Sequence, residues 1–166
     1  MKKVLVCLFI AVALTGLSCK SSPTLSGVKI EGEVTQEKGN DALGQIYDAY
    51  RPKLDMTGAQ SYTVVSGDSL VRITHRFYGT LTDVGEAGPQ NGFYFPIIML
   101  ASDSNIVDPD LIEPGMVLKI PDLKRNLANS GAHKAIKDCL NDVAYVYNRK
   151  GNTASEEGLK RLASSL

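Results

Sequence analysis

The chain has little of what metal and redox chemistry need. Its 166 residues hold two histidines, His75 and His133, in no spacing that would seat a metal. There are three cysteines. Cys7 lies inside an amino-terminal apolar run and Cys19 closes it, so only Cys139 stands in the body of the chain and no internal disulfide is expected. The fold must therefore rest on packing. Gly-rich phosphate loops, nucleophile elbows and zinc motifs are missing, and Cys139 sits on an apolar helical stripe, where a structural thiol is expected. Charge of one sign is missing too: 18 Lys and Arg balance 18 Asp and Glu, and nothing suggests nucleic-acid binding. The composition points away from catalysis, cofactors and metals. Asp108 and Asp110 flank a proline as turn residues, and an acid pair for glycoside hydrolysis would need an enclosing cleft that so short a chain can hardly build.

The one long hydrophobic run opens the chain. Lys2 and Lys3 precede apolar residues from Val4 to Leu14, followed by Thr15, Gly16, Leu17, Ser18 and Cys19. These are the proportions of a secretory signal over residues 1–18, too short for a transmembrane anchor. The cysteine after small residues resembles the lipobox of bacterial lipoproteins, with Gly16 where Leu is more usual. That resemblance implies cleavage before Cys19 and its acylation, placing the protein at a membrane facing the periplasm. The alternative is an ordinary cleaved signal with an incidental cysteine. Lys20 is not the aspartate that retains some lipoproteins at the inner membrane, which favours the outer one. Without Lys2 and Lys3 the mature chain carries about two net negative charges.

Residues 19–38 are rich in Ser, Thr, Gly and charge and read as a flexible tether, reaching roughly 25 Å as a coil and about 60 Å stretched. Val28, Ile30 and Val34 alternate with polar residues, so a short strand competes with that reading. Residues 39–60 read as an amino-terminal helix, from about Asp41 to Arg51, and a connector. Leu43, Ile46, Tyr47 and Tyr50 form its stripe and Pro52 ends it. The tyrosines are expected to pack on the core, with a sugar-stacking platform as the sharper alternative.

The centre is the most patterned part. Tyr62 and Val64 alternate with polar neighbours as a half-buried strand. Gly67 breaks it, Asp68 is suited to cap a helix, and Leu70, Ile73, Phe77 and Tyr78 follow at helical spacing. Gly79 ends that helix. Phe95 to Ala101 reads as a second helix, almost wholly core, with Pro96 at its first position. Turn signals at Asp108-Pro109-Asp110 and Pro114-Gly115 lead to Val117, Leu118 and Ile120, a second strand closed by Pro121. The order is strand, helix, helix, strand.

Residues 61–122, from Tyr62-Thr-Val64-Val-Ser-Gly67-Asp68-Ser69-Leu70 to Pro114-Gly115-Met-Val-Leu118-Lys-Ile120-Pro121, resemble a LysM domain, a bacterial glycan-binding module. The resemblance implies an α+β fold with a βααβ core: a two-stranded antiparallel sheet with two helices on one face. It also implies binding of N-acetylglucosamine-containing strands of peptidoglycan or chitin in a shallow groove. Carried over by position, one side of that groove is Gly67, Asp68, Ser69 and Leu70. The other is Asn105, Ile106, Asp108, Pro109, Leu111 and Ile112. Residues 80–94 exceed the usual link between the helices and read as an inserted surface loop. Ser102 stands where relatives usually carry an Asn at the end of the second helix, and a Ser can partly replace a capping Asn.

After the domain, residues 126–166 read as a helical hairpin. Ala132, Ile136, Cys139, Leu140, Val143 and Tyr147 form the stripe of a helix from about Gly131 to Lys150, capped by Asn129 or Ser130. Thr153 and Glu156 resemble a capping box opening a last helix with Leu159, Leu162, Ala163 and Leu166 inward. The hairpin is expected to pack on its own domain.

Together these features lead to a non-catalytic envelope lipoprotein, tethered to a membrane through its lipid and binding peptidoglycan strands through one LysM domain. The alternative is an assembly factor that uses the fold as a scaffold and docks an envelope protein through the inserted loop or the tail. Phe93, Tyr94 and Phe95 beside Pro89 and Pro96 motivate it.

Overall fold

The alternation around Tyr62 and Leu118 is realised as a two-stranded antiparallel ladder. β1 (Gln60–Thr63) pairs with β2 (Val117–Ile120) in the register Gln60↔Ile120, Ser61↔Lys119, Tyr62↔Leu118 and Thr63↔Val117. Leu118 and Ile120 point into the core while Val117 and Lys119 face out. Pairing continues past the strand ends, where the Val64 amide donates to the Met116 carbonyl and the Gly115 amide to that of Val64, both at 2.9 Å. The computed structural model describes residues 25–79, 89–102 and 108–166. The signal, Cys19 and the first part of the tether lie outside these residues, as do residues 80–88 of the inserted loop.

Between the strands come two helices preceding and following the insertion. The first buries Leu70, Ile73, Thr74 and Tyr78, with Thr74 accommodated because its hydroxyl donates to the Leu70 carbonyl at 2.7 Å. Counted along the chain, it is α2 (Leu70–Tyr78). Phe77 is half-buried and meets Tyr62 edge to face at 5.6 Å. In α3 (Phe95–Ala101), residues Phe95 to Leu100 are all buried, and Pro96 occupies the second helical position rather than the first. α3 packs on β2 and α2 packs on α3, giving the expected α+β, βααβ unit. Ser102 ends α3 and ties it to the sheet: its hydroxyl donates to Ile98 at 2.6 Å and accepts from the Lys119 amide at 3.0 Å.

The flanks depart from expectation in several places. α1 (Gln36–Tyr50) begins ahead of Asp41 because Thr35 caps it, accepting from the Lys38 amide. The free tether expected over 19–38 is corrected from Leu25 onward. Val28 and Ile30 are buried, although in chain outside any strand, and the Leu25 and Ser26 amides each donate to the Asp142 carboxylate at 2.7 Å. α4 (Leu123–Ala128), capped by Asp122, was not expected; six residues carry too little periodicity to register. It is held where Asn126 accepts from the Asp55 amide at 2.9 Å and donates back to the Asp55 carbonyl at the same distance. Residues 126–128, assigned to the hairpin, belong to α4.

The hairpin is α5 (Ser130–Arg149) and α6 (Thr153–Ser165). Asn129 caps α5. Asn152, not Thr153, caps α6, its side chain accepting from the Ser155 amide. α5 packs on α1, α3 and α4 as well as on α6, and one continuous core runs from Val28 to Ala163. Tyr47 and Tyr50 are buried in it, as the packing reading expects. Cys139 is buried too, and burial pushes its thiol up and away from thiolate chemistry. His75 is exposed, whereas His133 is half-buried with its Nε2 3.1 Å from the Leu166 carbonyl oxygen. Among the described residues no helix is long and apolar enough to cross a membrane, and no three His, Cys, Asp or Glu side chains gather to hold a metal.

Candidate functional site

The turn between β1 and α2 is built by three consecutive residues with separate tasks. Gly67 has φ +86°, the left-handed region where a side chain is strained. Ser69 is the helix cap, accepting from the Arg72 amide. Asp68, expected to do that job, turns the other way: its carboxylate accepts from the Tyr62 hydroxyl at 2.6 Å and the Val65 amide at 3.0 Å. Tyr62 in turn accepts from Arg76 at 2.8 Å. The turn is thus locked to β1 and α2.

Those hydrogen bonds, Tyr62 first and the Val65 amide next, hold the Asp68 carboxyl below the usual carboxylate range. The sign follows directly. Asp68 supports the turn fully above the pKa of an unfolded aspartate, and that support is lost as the pH falls through the lower, folded value. An NMR titration of the Asp68 carboxyl should give a midpoint below that of free aspartate, and Tyr62→Phe should raise it. An unchanged midpoint in that variant would remove the hydroxyl as the cause.

The opposite loop is tied down from below. Asp108 is buried and accepts from the Gln36 side chain at 3.2 Å and the Asp110 amide at 2.9 Å, while its carbonyl accepts from the Leu111 amide. This makes it a turn residue anchored to α1.

Between the two loops lies a cleft of about 210 Å³. Asp68, Ser69 and Leu70 form one lip, and Pro109 and Ile112 the other. Five of the ten carried-over residues are therefore brought together. Gly67 shapes the turn without lining the cleft, Asp108 sits beneath it, and Leu111 is 56% exposed outside it. Asn105 and Ile106 lie outside the described residues.

The cleft also has lining that the sequence reading missed. Val71 and Asp110 extend the two lips, Phe93 comes from the segment between the helices, Phe95 from the start of α3, and Tyr147 and Ser155 from α5 and α6. Residues 89–94, expected as the end of a surface loop, form a 3-10 turn that packs on α2 and α6, with Tyr94 fully buried. The aromatic run at 93–95 was the one signal available for this part of the wall. Tyr147 had none beyond its place on an apolar stripe. It meets Phe95 edge to face at 5.9 Å, and the Lys150 ammonium lies 5.3 Å above its ring and 3.7 Å from Asp110. The charged side chains on the lining are two carboxylates, Asp68 and Asp110, among apolar and aromatic surface. Such a site suits an uncharged ligand with apolar faces and a few polar groups.

Residues 62–121 match the family model of the LysM domain. The chain carries a LysM domain, and domains of this class are non-catalytic modules that bind peptidoglycan and other N-acetylglucosamine-containing glycans. No curated protein and no solved structure matches the chain.

Proposed function

We propose that the protein is a non-catalytic lipoprotein of the bacterial envelope that binds peptidoglycan strands in the cleft between the Gly67–Leu70 turn and the Asp108–Ile112 loop. The observation that carries this reading is a coincidence of two kinds of evidence. Within the segment matched as a LysM domain, five of the ten positions implied for glycan contact line one cleft whose apolar and aromatic surface supports a neutral, partly apolar ligand. Acylated Cys19 would hold the protein on a membrane facing the periplasm, the outer one on the evidence of Lys20. With the chain packed down from Leu25, the span from Cys19 is at most about 20 Å, not the longer reach of a free tether. A single weak module then works by avidity, many copies being concentrated beside the wall.

The aromatic motive for the partner-docking alternative is weakened, while residues 80–88 of the inserted loop lie outside the described residues. Tyr94 and Phe95 are buried, Phe93 packs against Gly158, and the hairpin is spent on the protein's own core.

Co-sedimentation with insoluble peptidoglycan tests the reading. Saturable binding is expected for the wild type, with about tenfold weaker binding for Val71→Gln, a change at a half-exposed cleft residue that leaves the charge opposite an anionic wall untouched. No saturable binding by the folded wild type would sink it.

A further inference from the structure

We propose that the carboxy-terminal hairpin and the segment before α3 are part of the glycan site itself, supplying a second wall that a bare βααβ unit lacks. The proposal rests on the glycan reading above and names who contacts the sugar. Tyr147 and Ser155 lie outside the matched segment 62–121, yet both line the same cleft as Ser69, Leu70 and Pro109. Phe93 joins them from the insertion.

The wall is built rather than incidental. The Phe93 ring rests on Gly158 of α6 so closely that a Cβ there would collide with three of its carbons. Gly92 is pressed against Val71 of α2, where a Cβ would stand 3.0 Å from a Val71 methyl. The 3-10 turn is therefore clamped between the LysM unit and the hairpin. Tyr147 is held by Phe95 on one side and Lys150 on another. A rigid wall loses little entropy when a ligand arrives.

An open groove leaves one face of a bound sugar in water, whereas a second wall covers it. The apolar C–H face of an N-acetylhexosamine suits the half-buried Phe93 ring, which Tyr147, 3% exposed, backs from the core side of the wall, and the Ser155 hydroxyl and Asp110 carboxylate offer partners to its hydroxyl or amide groups. The hairpin should therefore determine how tightly this chain holds a short, uncharged N-acetylglucosamine oligomer.

The test is an amide NMR titration of the protein with a soluble tetramer of N-acetylglucosamine, beside Ser155→Trp and Ala154→Trp. Ala154 is exposed and does not line the cleft, whereas Ser155 does. Saturable shifts are expected at Tyr147 and Ser155 together with Ser69, Leu70 and Ile112, with affinity about tenfold lower in Ser155→Trp and unchanged in Ala154→Trp. The wild-type shift map decides the matter even if Ser155→Trp fails to fold. Saturable shifts confined to the two loops would overturn the second wall and leave the glycan reading standing. Failure of the wild type to respond to the tetramer and to bind peptidoglycan would overturn both.

Discussion

Asp142→Ala is expected to lower the stability of the protein by about 3 kcal/mol and to release residues 25–32 from the helices beneath them. Asp142 is 1% exposed in the middle of α5. Its carboxylate accepts from the Leu25 amide at 2.7 Å, the Ser26 amide at 2.7 Å and the Tyr50 hydroxyl at 2.9 Å. A buried acid is tolerated because three donors replace the water it has lost, and each hydrogen bond to a charged acceptor contributes roughly 1.5–3 kcal/mol. Alanine leaves the Tyr50 hydroxyl unpaired in the core. The two amides lie nearer the surface and regain water, which keeps the loss below the sum of the three. Other fastenings of the segment include the Ile30 amide reaching Tyr145 at 3.4 Å and Arg149 donating to the Gly32 carbonyl at 2.8 Å. Urea unfolding gives the magnitude, and hydrogen exchange at Leu25, Ser26 and Ile30 reports the release. A loss below about 1 kcal/mol with those amides still protected would show that the segment is held without Asp142, by the packing of Val28 and Ile30 and its other contacts.

Gly158→Ala should destabilise the protein by about 2 kcal/mol, the reverse of what this exchange does in most helices. In a helix interior, alanine normally gains about 0.5–1 kcal/mol over glycine because it loses less backbone entropy. At position 158 the Phe93 ring occupies the space a Cβ needs, so α6 must lift or the ring must leave. Either movement opens the wall that carries Ser155 and Phe93, so glycan binding should weaken together with stability. The partner that causes the strain can be removed. In a Phe93→Ala background the same Gly158→Ala exchange should become neutral or stabilising, and thermal melts of the four proteins close the cycle. A Gly158→Ala variant as stable as wild type would show that the ring moves aside freely.

The segment from Tyr62 to Pro121 was legible because its signals are local. Period-two alternation, a glycine where the chain must take φ +86°, a proline in a first helical turn and paired turn motifs each act within a few residues. Stripes such as Leu43, Ile46, Tyr47 and Tyr50 were readable for the same reason. Errors fell where neighbouring residues compete for one local task. Asp68, Ser69, Asn152 and Thr153 are all good caps; the Tyr62 hydroxyl engages Asp68 and leaves the cap to Ser69, and at α6 it is Asn152 that accepts from the Ser155 amide.

By itself, then, the sequence determined the βααβ unit, its strand order, the flanking helices other than α4, and the glycine and turn residues that shape the two loops. Tertiary structure alone decided that residues 25–34 pack instead of hanging free, since Val28 and Ile30 look like tether until Asp142, more than a hundred residues away, accepts the amides before them. It also decided the second wall of the cleft. A ring such as Tyr147 follows the same helical spacing whether it ends deep in the core or at the lining of a cleft, and only the docking of α5 and α6 against the Phe93 segment, through the missing side chain of Gly158, brings it to that lining.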